Sequence, residues 1–229
     1  MNDLKKGFLF IVSTPIGNLK DISQRAIDCL SSVDIIACED TRHTGMLLSH
    51  LGIRKKLISY NNFNENEKSS LLLSHLENGS DIAVVSDAGT PGISDPAYRI
   101  VKLAVDSGFG VFSIPGPSAL LSALVVSGFP LDRFVFEGFL PPKGAKRLKH
   151  IETLKNETRT IVFFESPHRI VNLLESLLSV FGDRDISVSR EMTKIYEETI
   201  RGKISFVLEI INKSKTRGEY TVVVRGLLL

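Results

Sequence analysis

Short apolar runs alternate with amphipathic segments along the first half of the chain, and this alternation restricts the fold more than any other feature. Runs typical of buried strands occupy residues 7–13, 33–39, 57–59, 81–86 and 110–114. Helical periodicity falls between them, over about residues 22–30, 41–51, 64–78 and 95–107. Repeated strand–helix–strand units predict a mostly parallel sheet with helices on both faces.

The same alternation resumes after IPGPSA at residues 114–119, where two prolines bracket Gly116. Helical patterns follow at about 119–128, 144–156, 168–180 and 204–214, and strand-like runs at 134–139, 160–166, 185–190, 197–202 and 219–225. We therefore predict an α/β fold with two domains, residues 1–116 and 117–229. The second domain is expected to be more mixed in strand direction.

Composition excludes several classes of protein without choosing among the rest. An apolar content of 43% is enough for a buried core, and a net charge of +2 neither requires nor excludes a nucleic-acid partner. The apolar run GFLFIV is too short for a secretory signal, and no stretch approaches a membrane span. Cys29 and Cys38 form no metal-binding pattern and are expected to be buried, reduced thiols. A cytoplasmic protein without a metal site is predicted.

Loops rich in glycine, proline and polar residues follow four predicted strands of the first half and one of the second. They are STPIGN (13–18), CEDTRHTG (38–45), SDAGTPGISDP (86–96), IPGPSA (114–119) and FESPHR (164–169). Each loop by itself is also explained as a tight turn. Because ligands of open α/β sheets bind outside the carboxyl ends of the strands, the five loops together predict a shared ligand cleft.

The loop at residues 86–96 is open to three interpretations: a plain turn, a phosphate cradle, or a platform for another small molecule. The phosphate-binding patterns GxxxxGK[ST] and GxGxxG are both missing. Glycine and proline are then expected to let the backbone approach a compact ligand, such as an adenine or an amino-acid group. Asp95 and Pro96 are expected to begin the next helix, as its N-cap and first-turn proline.

Five motifs, in this order and spacing, resemble the bacterial ribosomal RNA small subunit methyltransferase I family: STPIGN, ACEDTRHTG, VSDAGTPGISDP, PGPSA and FFESPHR. The resemblance extends over about residues 8–226. It implies two α/β domains of tetrapyrrole methylase-like architecture with a cofactor cleft between them. It also implies a homodimer that transfers a methyl group from S-adenosylmethionine to the 2′-hydroxyl of a decoding-centre cytidine in 16S ribosomal RNA of the small subunit.

The same resemblance implies a set of cofactor-binding residues: Pro15, Ala88, Gly89, Thr90, Ile93, Ser118, Ala119, Glu165 and Met192. Asp87 either contacts the cofactor as well or orients its loop by binding backbone amides. Tetrapyrrole methylases carry aspartate where this chain has Thr90, which favours a substrate that is not a porphyrinoid. Many relatives continue with a helical segment after EYTVVVRG, so RNA contacts made by such a segment are expected to be absent here.

Candidate catalytic residues are polar groups on the predicted cleft loops. Transfer to a hydroxyl needs in-line positioning and removal of the hydroxyl proton, and carboxylates or histidine are the usual bases. Asp40, Glu39, Glu165 and His168 are available as bases, while Arg42 and Arg169 are suited to hold phosphates or carboxylates. We select Asp40, Arg42, Glu165 and Arg169 as catalytic candidates. Asp40 is equally explained as a helix N-cap, Glu39 as a cap, and His168 as a positioning residue.

The RNA-binding surface is predicted from charge and aromatic content. PPKGAKRLKH at 141–150 contains Lys143, Lys146, Arg147, Lys149 and His150, which form either an ordinary solvated face or a phosphate-binding one. Tyr60, Phe63 and Phe139 are candidates for stacking on an unpaired base. A small-molecule methyltransferase, such as a tetrapyrrole C-methyltransferase, and a non-catalytic RNA-binding assembly factor remain as alternatives.

Overall fold

The chain is described by a computed structural model, which covers residues 6–227. It divides into two compact units, the first ending at Ser118 and the second beginning at Ala119. Each unit is built on one five-stranded sheet covered by helices. Within the described residues, no helix is long and apolar enough to cross a membrane.

The first unit contains an entirely parallel sheet, as the alternating pattern predicts. Its strands are β1 (Leu9–Val12), β2 (Ile35–Cys38), β3 (Lys56–Ser59), β4 (Ile82–Val85) and β5 (Val111–Ile114), and its helices are α1 (Gln24–Ser32), α2 (Thr41–His50), α3 (Glu65–Glu77) and α4 (Tyr98–Asp106). Every strand pairing is parallel. All residues of β2 and β4 are buried, which explains their unbroken apolar sequences.

The order of the strands places a topological switch point beside β1. The sheet runs β3-β2-β4-β1-β5, so the chain leaving β1 passes β4 to reach β2, whereas the chain leaving β4 passes β1 to reach β5. The connections after these two neighbouring strands therefore depart toward opposite sides. Such a point opens a crevice at the carboxyl ends of the strands, and ligands of α/β sheets bind there.

Tyr60 belongs to the core of the first unit, so its predicted role in stacking on RNA is wrong. The residue follows β3 and is only 1% exposed, packed with Leu72 and Ile100 among other apolar side chains. Its hydroxyl lies 3.0 Å from Ser69 Oγ and donates to Glu65 Oε1 at 3.2 Å. Helix α3 covers the ring, and contacts of that kind cannot be read from the local sequence.

Helix α4 begins later than the sequence indicates. Its first residue is Tyr98 and its N-cap is Ala97, so Asp95 and Pro96 lie before the helix and not at its N-cap and first-turn positions. Ser94 has a φ of 70°, in the left-handed region, and this turn delays the start of the helix. Residues 86–97 thus form one long irregular loop over the carboxyl ends of the strands.

The second unit contains a mixed sheet, which confirms the expected change in strand direction. Its strands are β6 (Phe134–Phe139), β7 (Thr160–Glu165), β8 (Asp185–Arg190), β9 (Glu198–Lys203) and β10 (Tyr220–Val224), and its helices are α5 (Ala119–Ser127), α6 (Ala145–Thr153), α7 (Ile170–Phe181) and α8 (Ile204–Lys213). The order is β6-β7-β10-β8-β9, in which β6 and β7 are parallel and the other pairs antiparallel. One apolar core joins α7 and α8 to this sheet.

Candidate active site

The loops after β1 and β4 are joined by a two-residue bridge at the switch point. Thr14 N donates to Gly89 O at 2.9 Å, and Gly89 N donates to Thr14 O at 3.1 Å. The Thr14 hydroxyl also donates to Ser86 O at 3.0 Å. Gly89 has a φ of 87°, which β-branched residues do not readily adopt. Glycine is therefore favoured at this position by the backbone conformation, and not only by a need for flexibility.

A third loop, after β5, packs against the same place. The Ser13 and Thr90 hydroxyl oxygens lie 2.9 Å apart, and the Thr90 hydroxyl donates to Pro117 O at 3.4 Å. A Cβ added to Gly116 would lie 3.0 Å from Ser13 Cβ, so the chain between the two prolines approaches Ser13 closely. Three loops that are distant in sequence thus form one surface in the first unit.

The loop after β2 joins this surface through Asp87. The Asp40 amide donates to Asp87 Oδ1 at 3.2 Å. Asp87 therefore binds a backbone amide of the neighbouring loop, which is the loop-orienting role considered above. Four of the five loops predicted from sequence meet at this edge of the first sheet, and the fifth, FESPHR, lies in the second unit.

Asp40 is the N-cap of α2, and it also fixes the Arg42 side chain. Its Oδ1 accepts from Arg42 N at 2.8 Å and from Arg42 Nε at 3.2 Å, while Oδ2 accepts from Arg42 Nη2 at 2.8 Å. These bonds hold the pKa of the Asp40 carboxyl well below its usual range. The Arg42 side chain is 88% exposed, so it presents a positive charge held in one orientation.

Glu39 differs electrostatically from its neighbour Asp40. Its side chain is half-buried, and burial raises its pKa, with a further increase from the nearby Asp87 carboxylate. A hydrogen bond from the Asp87 backbone opposes part of that shift. Two adjacent carboxyl groups therefore have pKa values displaced in opposite directions, a pattern typical of sites that move protons.

The cofactor residues predicted in the first unit differ in exposure. Pro15 and Gly89 are buried, Asp87, Thr90 and Ser118 are half-buried, and Ala88 is exposed. Ile93 is 40% exposed and is the largest apolar side chain of residues 86–97. This edge combines accessible backbone, an apolar side chain and a carboxylate.

Glu165 and Arg169 form a buried ion cluster in the second unit, together with Arg147. Glu165 is fully buried at the end of β7; its Oε1 lies 3.0 Å from Arg169 Nε, and its Oε2 lies 3.4 Å from Arg147 Nη2. Ser166 N also donates to Glu165 Oε1 at 2.8 Å. Since both carboxylate oxygens are engaged, Glu165 in this arrangement orients two guanidinium groups and does not present a free base.

The two arginines of this cluster hold the loop after β6. Arg147 Nε donates to Pro141 O at 2.8 Å, its Nη2 donates to Pro142 O, and Arg169 Nη2 donates to Leu140 O at 2.5 Å. Arg147 is only 1% exposed, so its predicted place on the basic RNA surface is wrong. Lys143, Lys146 and Lys149 of the same segment are exposed. The helix turns its lysines to solvent and its arginine inward.

Met192 and Ala119, the remaining cofactor candidates, lie in the second unit. Met192 is 9% exposed in the loop between β8 and β9, flanked by Glu191 and Thr193 with φ values of 50° and 67°. Glu191 Oε1 accepts from Lys194 Nζ at 2.8 Å, and a Cβ on Gly218 would collide with that carboxylate. Backbone strain of this kind in residues other than glycine is concentrated at functional sites.

Sequence reasoning missed the hydroxyl groups that join the loops. Ser13 and Thr14 lie in STPIGN, where only Pro15 was selected as a site residue. The signal was a pair of hydroxyl residues directly after a buried strand, where such side chains are placed to bind neighbouring backbone. Arg147 was also missed as a buried residue, although Arg147, Ile151 and Leu154 follow the spacing of one helix face.

Comparison with known proteins decides the family. The profile described as "Tetrapyrrole (Corrin/Porphyrin) Methylases" matches residues 9–207. A protein of Thermotoga maritima named "Ribosomal RNA small subunit methyltransferase I" is 48% identical over 220 residues, 96% of this chain and 99% of its own length. The chain belongs to the ribosomal RNA small subunit methyltransferase I family. This methyltransferase family also includes a protein of Haemophilus influenzae with the same name, 46% identical over 99% of this chain and 81% of its own length.

Methyltransferase I membership agrees with the fold. The uroporphyrin-III-C-methyltransferase structure from Thermus thermophilus matches with a TM-score of 0.67 over 95% of this chain and 94% of its own. At 17% sequence identity that likeness concerns the fold alone. The predicted α/β class with tetrapyrrole methylase-like architecture is therefore confirmed, and the chain is an enzyme of the methyltransferase class.

Proposed function

We propose that this chain transfers a methyl group from S-adenosylmethionine to the 2′-hydroxyl of a cytidine in the decoding centre of 16S ribosomal RNA. Nearly full-length similarity to proteins named ribosomal RNA small subunit methyltransferase I supports the ribosomal RNA substrate. The observation that carries the proposal is the joining of four loops around Gly89 at the switch point of the first sheet. Ligands of open α/β sheets generally bind at such a switch point, which supports the proposal.

The residues at this edge fit S-adenosylmethionine. Gly89 lets the backbone come close to the ligand, while Ala88 and the 40% exposed Ile93 offer apolar surface to an adenine ring. The Asp87 carboxylate is suited to the positive charge of the ligand. Pro15, Thr90 and Ser118 complete the proposed set in the first unit, and the second unit carries the other predicted cofactor residues, Ala119, Glu165 and Met192. When bound, the ligand supplies a methyl group on a positively charged sulfur.

In the proposed mechanism, the residues of the chain position the ribose and remove the proton of its 2′-hydroxyl group. The exposed Arg42 guanidinium, held by Asp40, binds an RNA phosphate next to the target nucleotide. The low pKa of Asp40 makes it a weak base, so we assign it the role of fixing Arg42. Glu39, with its raised pKa, is the better acceptor for the hydroxyl proton. Positioning of this kind supplies several kcal/mol of the rate enhancement, up to about 7–11 in ideal cases.

Glu165 and Arg169 are proposed to act as positioning residues. Glu165 is fully buried between two guanidinium groups, and its charge keeps Arg169 beside the loop after β6. That loop leads directly into the exposed lysines 143, 146 and 149. The ion cluster thereby sets the orientation of the proposed RNA-binding segment.

RNA binding is proposed to use exposed charge and two exposed rings. Phe63 is fully exposed and Phe139 is 50% exposed, so both rings are available for stacking on unpaired bases. Lys143, Lys146 and Lys149 provide the phosphate contacts. Replacing all three lysines by methionine should lower RNA affinity. It should also reduce the slope of log K against log[salt] by about three, one for each lost phosphate contact.

The proposal includes a cytoplasmic homodimer that acts on the small ribosomal subunit. Helix α5 carries no charged residue, and its Val125 and Val126 remain 67% and 43% exposed. Apolar side chains of this kind on a helix surface support association of two copies. Sedimentation equilibrium of the intact chain tests the dimer, and a Val125→Asp variant should shift it toward monomer.

The decisive experiment is mapping of the methylated nucleotide. Small subunits that lack the modification, and the same RNA stripped of protein, are incubated with the enzyme and labelled S-adenosylmethionine. We expect label on one cytidine 2′-oxygen, with the two arms distinguishing assembled subunit from free RNA. Labelling of a porphyrin precursor instead would identify a tetrapyrrole enzyme, and failure to bind S-adenosylmethionine in calorimetry would identify a non-catalytic RNA-binding protein.

A further inference from the structure

A pocket of about 290 Å³ lies in the second unit, at the edge of its sheet opposite Glu165. It is lined where α7 ends, β8 begins and both β9 and β10 end; the lining includes Phe181, Asp183, Arg184, Asp185, Lys203 and Arg225. None of these residues belongs to the proposed methyl-transfer site. The pocket is therefore a separate feature of the second unit.

The pocket carries an excess of positive charge. Three cationic side chains line it against two carboxylates, which leaves a net charge of one. Asp183 is already engaged, because its Oδ1 accepts from Ser205 N at 2.8 Å and its Oδ2 from Ser205 Oγ at 2.7 Å. Asp185 lies 2.9 Å from Lys203 Nζ and 3.6 Å from Arg225 Nη1. Both carboxylates are thus used by neighbours other than Arg184.

Arg184 is held in a fixed orientation although it has no acidic partner among residues 6–227. Its guanidinium carbon lies 4.5 Å from the centre of the Phe181 ring, and its Nη2 donates to the Lys155 carbonyl oxygen. Burial lowers the pKa of this guanidinium, and no neighbouring carboxylate offsets that effect. A cation fixed and partly desolvated in this way gains free energy from an anion in the pocket.

Two of the arginines that line the pocket carry donors without a partner. Arg184 Nε and Nη1, and Arg225 Nε, are buried nitrogen atoms without a hydrogen-bond partner in the part of the chain that the structure describes. Buried donors of charged groups are costly to leave unpaired and are usually satisfied by a ligand, an ion or water. Several N–H groups around a net positive charge match the tetrahedral oxygens of a phosphate.

We propose that this pocket binds a phosphate group, with Arg184 as its principal ligand and Arg225 and Lys203 as supporting ligands. The phosphate is either a phosphodiester of RNA or a free phosphate ester, because the chemistry of recognition is common to both. If the ligand is RNA, the inference rests on the proposed function and adds a second point of substrate contact. Binding of inorganic phosphate tests the pocket without that assumption.

The test is calorimetric titration of the full chain, in a chloride buffer, with inorganic phosphate and with a short oligocytidylate. Arg184→Met keeps the length of the side chain and its packing on Phe181 but removes the charge. Arg25→Met, which removes an exposed arginine from α1 of the first unit, is the charge-matched control. We expect Arg184→Met to weaken the binding of at least one probe tenfold or more, and Arg25→Met to leave it unchanged.

Two further measurements test the pocket independently of the Arg184→Met variant. Lys203→Met removes a side chain that is 56% exposed, so it should weaken the same binding even if Arg184→Met fails to fold. Affinity for S-adenosylmethionine should be unchanged in every variant, which separates this pocket from the proposed methyl-transfer site. Competition between phosphate and oligocytidylate assigns the site to RNA, whereas binding of phosphate alone assigns it to a free phosphate ester. Failure of the wild-type chain to bind either probe, or equal binding by the folded Arg184→Met variant, overturns the proposal.

Discussion

The hydroxyl oxygens of Ser13 and Thr90 lie 2.9 Å apart and connect two loops separated by 77 residues in sequence. Thr90 also donates to the Pro117 carbonyl oxygen, so one side chain contacts both neighbouring loops. In this chain the Thr90 side chain therefore holds the loops together. A short neutral side chain suits that role, because a carboxylate could not donate to the Pro117 carbonyl oxygen.

Thr90→Val should weaken this contact between the loops while nearly keeping the volume of the side chain. The variant loses the hydrogen bonds to Ser13 and Pro117, which we expect to cost about 1–2 kcal/mol in the free energy of unfolding. Affinity for S-adenosylmethionine should fall as well, since the loop that carries Gly89 is less well fixed. Urea unfolding and calorimetry measure the two effects. Thr90→Ser keeps the hydroxyl and is the control; wild-type cofactor affinity in Thr90→Val would contradict a supporting role for this contact.

Gly89→Val should abolish binding of S-adenosylmethionine while the fold persists. Gly89 has a φ of 87°, and a Cβ there would lie 3.4 Å from Ile16 Cγ2 and 3.8 Å from Pro117 O. Gly52 offers a matched control, because its φ is 70° and nothing lies within 4 Å of an added Cβ. Both valine variants should lose about 1–2 kcal/mol of stability from backbone strain. Only Gly89→Val should lose cofactor binding in calorimetry, and equal affinities in the two variants would refute the assignment of this loop.

Tyr60→Phe should alter the alkaline limb of the stability curve. Burial raises the pKa of Tyr60 to about 12, above the value of about 10 in the unfolded chain. The stabilisation that this raised pKa represents is complete below about pH 10 and is lost as the pH rises through the folded-state value. The wild type should therefore lose stability between about pH 10 and 12 more steeply than Tyr60→Phe. At neutral pH the variant should be less stable by about 1 kcal/mol, from the lost hydrogen bonds to Ser69 and Glu65.

Phe63→Ala, unlike Tyr60→Phe, should leave the stability of the chain nearly unchanged. The Phe63 ring is 100% exposed, so its removal should change the free energy of unfolding by no more than about 0.5 kcal/mol. If the ring stacks on an RNA base, affinity for the small-subunit substrate should fall by about 1–3 kcal/mol. Filter binding at fixed salt measures that effect. Unchanged RNA affinity in Phe63→Ala would remove this ring from the proposed interface.

Arg147→Met should destabilise the second unit far more than Lys146→Met, although the two residues are adjacent. Arg147 is 1% exposed and binds two proline carbonyls and Glu165, so its loss should cost about 3 kcal/mol or more. Lys146 is exposed, and its loss should change stability by less than about 0.5 kcal/mol. Chemical denaturation of both variants gives the comparison. Similar midpoints would show that the buried ion cluster contributes little to the stability of this unit.

Periodicity was sufficient to predict the helices and strands of this chain, because most segments satisfy the simple rule that apolar faces are buried. The apolar runs of β2 and β4, for example, match strands whose residues are all buried. The placement of the loops after these strands also followed, since parallel strands end at one edge of a sheet. The start of α4 was the exception, and there the left-handed Ser94 extends the loop past Asp95.

The exposure of individual polar side chains could not be predicted in the same way. Tyr60 and Arg147 both carry groups that favour water, yet each is buried because a different element of the fold supplies hydrogen-bond partners. Those partners, Ser69 for the tyrosine and Glu165 for the arginine, become neighbours only after the chain folds. A sequence pattern describes one segment at a time, whereas a buried polar group of one segment needs a hydrogen-bond partner from another.

The two-residue bridge between Thr14 and Gly89 has a consequence for the timing of ligand entry. Since these amides are hydrogen-bonded across the loops as they are within the sheet, their exchange with deuterium should require the same rare opening events as β1 and β4. The proposed binding surface is then expected to be in place before any ligand arrives. Association should accordingly be fast and follow a single exponential, with little entropy lost in ordering the loops.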